Sequence, residues 1–349
     1  MDTKYGVRSG EHNLRTRRPR DYSHMHATLE GIVMTQHSMK QGLKLYGEEG
    51  VDSVLVELKQ LHDRKVVEPK KLLTRTEKKA ALQYLMFIKK KRCGKIKARG
   101  CADGRKQREH TTKEEASSPT VAIESLLLTC AIDAKEERDV AVVDIPGAFM
   151  QVDQDELLHM KLEGKMAEIM VRIDPALYSK YIILEHGKKV LYVELKKALY
   201  GTLRAALLFW QRLTEQLKEW GFEINPYDWC VANKTINGKQ CTIVWHVDDL
   251  KISHVEANVV GDIIEDLDSV FGNEAPLTIK RGTIHDYLGM TLDFSARGKA
   301  KSLMVDYIQG MIDDLPPDMD GKSATPAPNH LFDVNTEDPV KLDEATAIL

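Results

Sequence analysis

Hydrophobic and polar positions along the 349-residue chain fall into runs of two periods, which predict helices alternating with strands. Val51, Val54, Leu55, Leu58 and Leu61 recur at helical spacing before Pro69, and a second helix is expected from Thr76 to about Phe87. Lys95 to Arg99 alternates charged and apolar residues, which fits a strand with Lys97 and Arg99 on one face. Ser118-Pro119-Thr120 is expected to end a loop and cap a largely buried helix over 121–134 that carries Leu126, Leu127, Leu128 and Ile132. Val140-Ala-Val-Val-Asp144 is a continuous apolar run of the kind a buried strand shows, and a turn at Pro146-Gly147 follows it. Short strands are expected over 157–162, 169–173 and 190–195. Leu203, Ala206, Leu207, Trp210, Leu213, Leu217 and Trp220 mark the clearest amphipathic helix, a core-packing stripe stopped by Gly221. Val259, Val260, Ile263, Ile264, Leu267, Val270 and Phe271 mark another, stopped by Gly272, and strands over 277–280 and 287–292 with a last helix over 303–315 complete the pattern.

One hydrophobic run is interrupted at its centre. In Cys241-Thr-Ile-Val-Trp-His-Val-Asp-Asp-Leu-Lys-Ile-Ser253, apolar and β-branched residues lead in and out of an acidic pair, which reads as two strands with Asp248 and Asp249 at the turn. Adjacent carboxylates repel each other and are ionised at neutral pH unless buried. A hard divalent cation supplies what they lack, since Mg²⁺ takes one or two protein carboxylates and completes its shell with water and phosphate oxygens. Most Asp-Asp dipeptides are solvated turns; this one sits inside an apolar run. Asp144, at the end of another such run, is a third carboxylate, and together they could serve two metal ions.

Composition bounds the reading. A hydrophobic content of 42% argues for a folded chain with a sizeable core, long enough for two or three subdomains. The net charge of -3 leaves partners open, but between Lys89 and Arg108 ten Lys or Arg stand against one acid, Asp103. That block is compatible with an anion-binding surface, beside the plainer reading of a solvated basic face. Lys97 and Arg99 can bind a polyphosphate, whereas the same residues on an exposed edge strand would guard against aggregation. Cys93, Cys101, Cys130, Cys230 and Cys241 lack metal-ligand spacing and are expected to be reduced thiols of an intracellular protein, cytoplasmic or nuclear. No apolar run approaches the ~20 residues of a membrane span, so no membrane partner is expected. Residues 1–40, with Arg17-Arg18-Pro19-Arg20, read as a flexible basic arm, and 316–349, with Pro316-Pro317 and Thr325-Pro-Ala-Pro328, as a linker or disordered tail.

In order along the chain, these pieces resemble the reverse transcriptases of copia-type long-terminal-repeat retrotransposons. Lys97-Ala-Arg99 looks like the family's Lys-Ala-Arg element and Ser118-Pro119 like its Ser-Pro. Val143-Asp-Ile-Pro-Gly-Ala-Phe149 is similar to its Asp-Val-x-x-Ala-Phe motif, and Lys197-Ala-Leu-Tyr-Gly201 to its Lys-Ala-Leu-Tyr-Gly. His246-Val-Asp-Asp249 resembles its Tyr-Val-Asp-Asp box, and Tyr287-Leu-Gly289 its Phe-Leu-Gly segment.

The resemblance implies an α+β fold of palm and fingers with an antiparallel palm sheet, packed helices and a partial thumb. The reverse transcriptase domain would span 41–315, with fingers about 41–138, palm about 139–275, and palm end and thumb about 276–315. It implies an RNA-directed DNA polymerase in which a primer 3′-hydroxyl attacks the α-phosphate of a dNTP and pyrophosphate leaves. Two Mg²⁺ ions, with Mn²⁺ as a substitute, would serve the reaction on an RNA or DNA template bearing a primer. By the same resemblance Asp144 and Asp248 are the bridging metal ligands and Asp249 is a supporting acid near the primer end. Lys97 and Arg99 would hold the triphosphate, Phe149 would sit under the sugar and exclude a 2′-hydroxyl, and Gly201 would let the backbone approach the templating pair.

Three departures qualify the match. Thr202-Leu-Arg-Ala-Ala-Leu-Leu-Phe-Trp210 stands where the family commonly has Leu-Lys-Gln-Ala-Pro-Arg-Ala-Trp, so Arg204 replaces a Gln that helps position the dNTP and is the candidate contact in its place. His246 replaces the usual Tyr, as a packing or primer-contact residue, and Pro146-Gly147 tightens the turn after Asp144. Protease, integrase and ribonuclease H signatures are not seen, so a piece of a Pol polyprotein, working in a virus-like particle in a complete element, is expected. Two other functions compete: a catalytically silent remnant that binds nucleic acid, and a two-metal phosphodiesterase. The remnant is disfavoured because all three acids are retained, and the phosphodiesterase because it has no need of Lys97, Arg99 or a gate-like Phe149.

Overall fold

The computed structural model describes residues 37–91 and 94–313; most of the basic arm, Cys93 and the Pro-rich tail lie outside them. All but the last two of the described residues belong to one compact unit, Val33–Met311. The chain opens with β1 His37–Ser38, α1 Met39–Asp63, β2 Val67–Pro69, α2 Arg75–Ala80, β3 Leu82–Lys90, β4 Ile96–Ala102, α3 Lys113–Ala116, α4 Ile123–Lys135 and β5 Asp139–Asp144. It continues with β6 His159–Glu163, α5 Lys165–Ile173, α6 Pro175–Tyr178, β7 Ile183–Glu185, β8 Lys188–Leu195, α7 Ala205–Glu219, β9 Glu223–Ile224, β10 Val231–Ile236, β11 Lys239–His246 and β12 Asp249–His254. It ends with α8 Ala257–Phe271, β13 Thr278–Arg281, β14 Ile284–Tyr287, β15 Met290–Asp293, β16 Lys301–Leu303 and α9 Val305–Asp313. The result is a mixed α and β architecture.

Six strands form an antiparallel sheet in the order β13-β5-β12-β11-β10-β9. Its central strands β5, β11 and β12 carry buried residues on both faces because both faces are covered. Ala141, Val143, Ile243, Trp245, Leu250 and Ile252 pack with Leu213 and Leu217 of α7 and Val260, Ile264 and Leu267 of α8. On the other face Val142, Val231 and Val244 pack with Leu126 and Cys130 of α4 and with Tyr287, Met290 and Leu292 of a three-stranded β14-β15-β16 sheet. That face also carries Lys251, fully buried, its Nζ bonded to the buried Asp133 of α4. A second sheet of seven strands runs β1-β3-β6-β8-β2, with β4 added to β3 and β7 to β8. It takes strands from both 37–102 and 159–195, so a contiguous division at 138/139 does not follow the sheets.

Several elements differ from their sequence reading, each for a local reason. The helix over 76–87 is instead the short α2 followed by β3: Leu82, Tyr84, Met86 and Ile88 are buried while Gln83, Leu85 and Phe87 between them are partly exposed, a period of two hidden by apolar residues on both faces. The strand over 169–173 is the end of α5, whose Met166, Ala167, Ile169 and Met170 are buried at helical spacing. Ser118 does not cap α4; its Oγ donates to Ala206 O, and the carboxylate of Asp228 accepts from Ala122 N at 3.0 Å instead. Nor is α4 largely buried, since Leu127 and Leu128 are 44% and 63% exposed. The strand over 287–292 contains a hairpin turn at Leu288 and Gly289, both left-handed, between β14 and β15. The buried stripe of α7 is Ala205, Leu208, Phe209, Leu213 and Leu217, which leaves Trp210 and Trp220 only partly covered. The first helix extends from Met39 to Asp63 around a break at Gly47, and the last begins at Val305, with Leu303 in β16. Among the described residues no helix is long and apolar enough to cross a membrane.

Candidate functional site

The register of the six-stranded sheet sets the site. β5 and β12 pair with Asp144 opposite Asp249, and β11 pairs with β12 so that His246 is also opposite Asp249. The turn between them passes through Val247 with φ 60, and Ile145 N donates to Asp248 O at 3.0 Å, which ties the chain leaving β5 to the turn. Asp144, Asp248 and Asp249 therefore share one end of the sheet.

Their charges oppose one another. Burial, then the charge of Asp248, pushes the Asp144 carboxyl above the usual carboxylate range, with Lys97 pulling the other way. Burial, then Asp248 and Asp144, pushes Asp249 up to about 6. An acid whose folded pKa exceeds its unfolded one binds more protons when folded between the two values, so stability rises as pH falls through about 6 toward 3.8. Without a cation, Asp249→Asn should be about 1–2 kcal/mol more stable than the wild type at pH 7, allowing for partial solvent exposure. The difference should close toward pH 4, as read by chemical denaturation across that range.

Among the described residues no cluster of three His, Cys, Asp or Glu side chains has the arrangement of a ready-made metal site. The donor chemistry nevertheless fits a hard divalent cation, which needs only one or two carboxylates beside water and phosphate oxygens. Carboxylates whose proton affinity is raised by burial and then by one another's charge are a set that such a cation relieves.

Positive charge faces this end from the other sheet. In the β3–β4 hairpin Lys89 lies opposite Lys97 and Phe87 opposite Arg99, and with Lys91 these five line a cavity of about 200 Å³. Like charges directly opposite on a hairpin are destabilising unless an anion joins them. Burial, then Lys91 and Arg99, holds the Lys97 ammonium below its usual range, while Glu57 and Asp144 pull it back up. Lys97 and Asp144 are thus close enough for each to move the other's titration.

Between cations and carboxylates lies the segment joining β8 to α7. Tyr200 Oη donates to Asp248 Oδ2 at 3.3 Å, its ring lies 4.5 Å from that of Phe149, and the Arg99 guanidinium stands over it at 5.6 Å. Phe149 is only 8% exposed and also packs on Phe209, so most of its ring belongs to the core. Tyr200 was not singled out in the sequence, although it sits inside the Lys-Ala-Leu-Tyr-Gly element; nothing local signals a contact with a residue 48 positions away.

Two of the candidate residues also make structural contacts. Gly201 has φ +91, and a Cβ there would fall 2.0 Å from Ala102 O, so the glycine is needed for contact with the end of β4. Gly201→Ala should cost at least about 2 kcal/mol, as strain plus overpacking, measured by urea denaturation. Arg204 Nη1 is paired with Asp155 at 2.8 Å and Glu156 at 3.1 Å, so its charge already faces an acidic pair. His246 is half-buried beside Asp249 at the turn.

A family model described as "Reverse transcriptase (RNA-dependent DNA polymerase)" matches residues 72–327, well over half of the chain. A search of curated proteins finds no match.

Proposed function

We infer the function from the family to which this chain belongs, the reverse transcriptases (RNA-dependent DNA polymerases). Its general activity is RNA-directed DNA polymerisation. The finer reading is a copia-type retrotransposon enzyme, a piece of a Pol polyprotein. The six-stranded sheet serves as palm, the β3–β4 hairpin with α1 as fingers, and the β14–β16 sheet with α9 as palm end and start of the thumb.

The observation that carries this reading is the meeting of three carboxylates with a cationic strip, Lys97 and Asp144 being electrostatically coupled across the gap. A nucleoside triphosphate has the shape of that meeting: its α-phosphate belongs at the carboxylates and its outer phosphates at the cations. Asp144 and Asp248 would hold two divalent cations, Mg²⁺ by the family's habit, with Asp249 supporting the primer end. The bound ions would lower the pKa of the primer 3′-hydroxyl and neutralise the leaving pyrophosphate. Lys97 and Arg99 bind the β- and γ-phosphates and screen charge that builds up as the α-phosphate is attacked. The exposed edge of Phe149 limits the space under the sugar and favours a deoxyribose. Backbone contacts by the Lys-rich strip give affinity for template and primer without sequence preference and with a steep salt dependence.

Primer extension on an RNA template with dNTPs in Mg²⁺ tests the reading. Addition of template-coded deoxynucleotides supports it. Folded protein that binds primer-template yet adds nothing favours the catalytically silent reading instead.

A further inference from the structure

Tyr200 makes four contacts that no neighbour duplicates. Its carbonyl oxygen accepts from Ala102 N at 2.8 Å, which fixes the segment against the end of β4, and the adjacent Gly201 presses on Ala102 O. Its hydroxyl donates to Asp248 Oδ2, its ring is tilted 53° against Phe149, and Arg99 covers it. The strip that faces phosphate, the ring that faces sugar and one acid of the carboxylate set therefore meet on a single side chain.

We infer that Tyr200 is a positioning residue that orients the Asp248 carboxylate for a divalent cation through its hydroxyl and holds Phe149 against the sugar through its ring. The hydroxyl occupies one oxygen of Asp248, Oδ2, and leaves Oδ1 to a cation. An outer hydrogen bond of this kind fixes a ligand's orientation, and removing one commonly weakens metal binding by roughly 10–100-fold. The ring's role is separable, because Phe in place of Tyr keeps the stacking and loses only the bond to Asp248.

The inference rests on Asp248 being a cation ligand, and the test keeps the two apart. Mn²⁺ binding to the nucleotide-free chain is followed by electron paramagnetic resonance for the wild type, Tyr200→Phe, Tyr200→Leu and Asp248→Asn. The expected result is about tenfold weaker Mn²⁺ binding in Tyr200→Phe with the dNTP KM and the preference for dNTP over NTP little changed. Tyr200→Leu should lose cation affinity to a similar extent and also admit ribonucleotides several-fold more readily. Weaker binding in Asp248→Asn with unchanged or tighter binding in Tyr200→Phe overturns the role given to Tyr200, since a hydroxyl that competes with the cation for Oδ2 would give tighter binding. Unchanged binding in both variants overturns the ligand assignment of Asp248 and the Tyr200 inference with it.

Discussion

Asp144→Asn is expected to remove templated nucleotide addition by roughly 10³-fold or more, about 4 kcal/mol of transition-state stabilisation, while making the cation-free protein more stable. Both effects have one cause. Asp144 lies opposite Asp249 in the β5–β12 pair; burial and Asp248 push up the carboxyl of Asp144, and burial, Asp248 and Asp144 that of Asp249. An amide keeps the shape and removes a repelling charge, so the folded state gains; on the proposed function it also removes an anionic ligand that a divalent cation would need. Single-turnover extension with Mg²⁺ and thermal unfolding in chelator read the two effects on the same preparation. Loss of activity together with loss of stability would point to a structural role for Asp144 and away from the proposed one.

The largest stability effect is expected at Asp133, away from the site. Lys251 is fully buried on β12, two positions after Asp249, and its ammonium bonds to Asp133 of α4, with Arg138 3.8 Å from the other oxygen. Asp133→Ala leaves the Lys251 ammonium in the interior without its counter-charge, which costs about 3–5 kcal/mol. Replacing both partners, Lys251→Met with Asp133→Leu, should recover most of that loss, because a buried ion pair exchanged for apolar groups of similar volume is near neutral. Urea denaturation of the single and double variants decides between them. Equal losses in both would mean that the packing of α4 on the sheet, and not an uncompensated charge, sets the cost.

How much of this was legible in the sequence depended on where the partners of each residue lie. The strands of Asp144 and of the Asp248-Asp249 hairpin were legible because burial on both faces made them largely apolar, with the acids interrupting the hydrophobic pattern and the buried Lys251 on β12 the main further exception. β3 was misread as helix because Leu85 and Phe87 put apolar residues on its second face as well. α5 was misread as strand because its helical spacing is short and begins after Gly164. The placement of Lys97 beside Asp144 was expected only by resemblance, since the two are brought together by different sheets. The capture of Arg204 by Asp155 and Glu156, and the bond from Tyr200 to Asp248, join residues about 50 positions apart and leave no local pattern. Gly201 was marked as a close approach, but the partner, Ala102, could be named only from the fold.

The most direct test of the central claim compares the wild type with Asp248→Asn in extension of a primer on an RNA template, with dNTPs and Mg²⁺ and with folding of both checked by circular dichroism. The account predicts template-coded extension by the wild type and none above background by the equally folded variant. Extension by Asp248→Asn at the wild-type rate would contradict it and place the chemistry elsewhere in the chain.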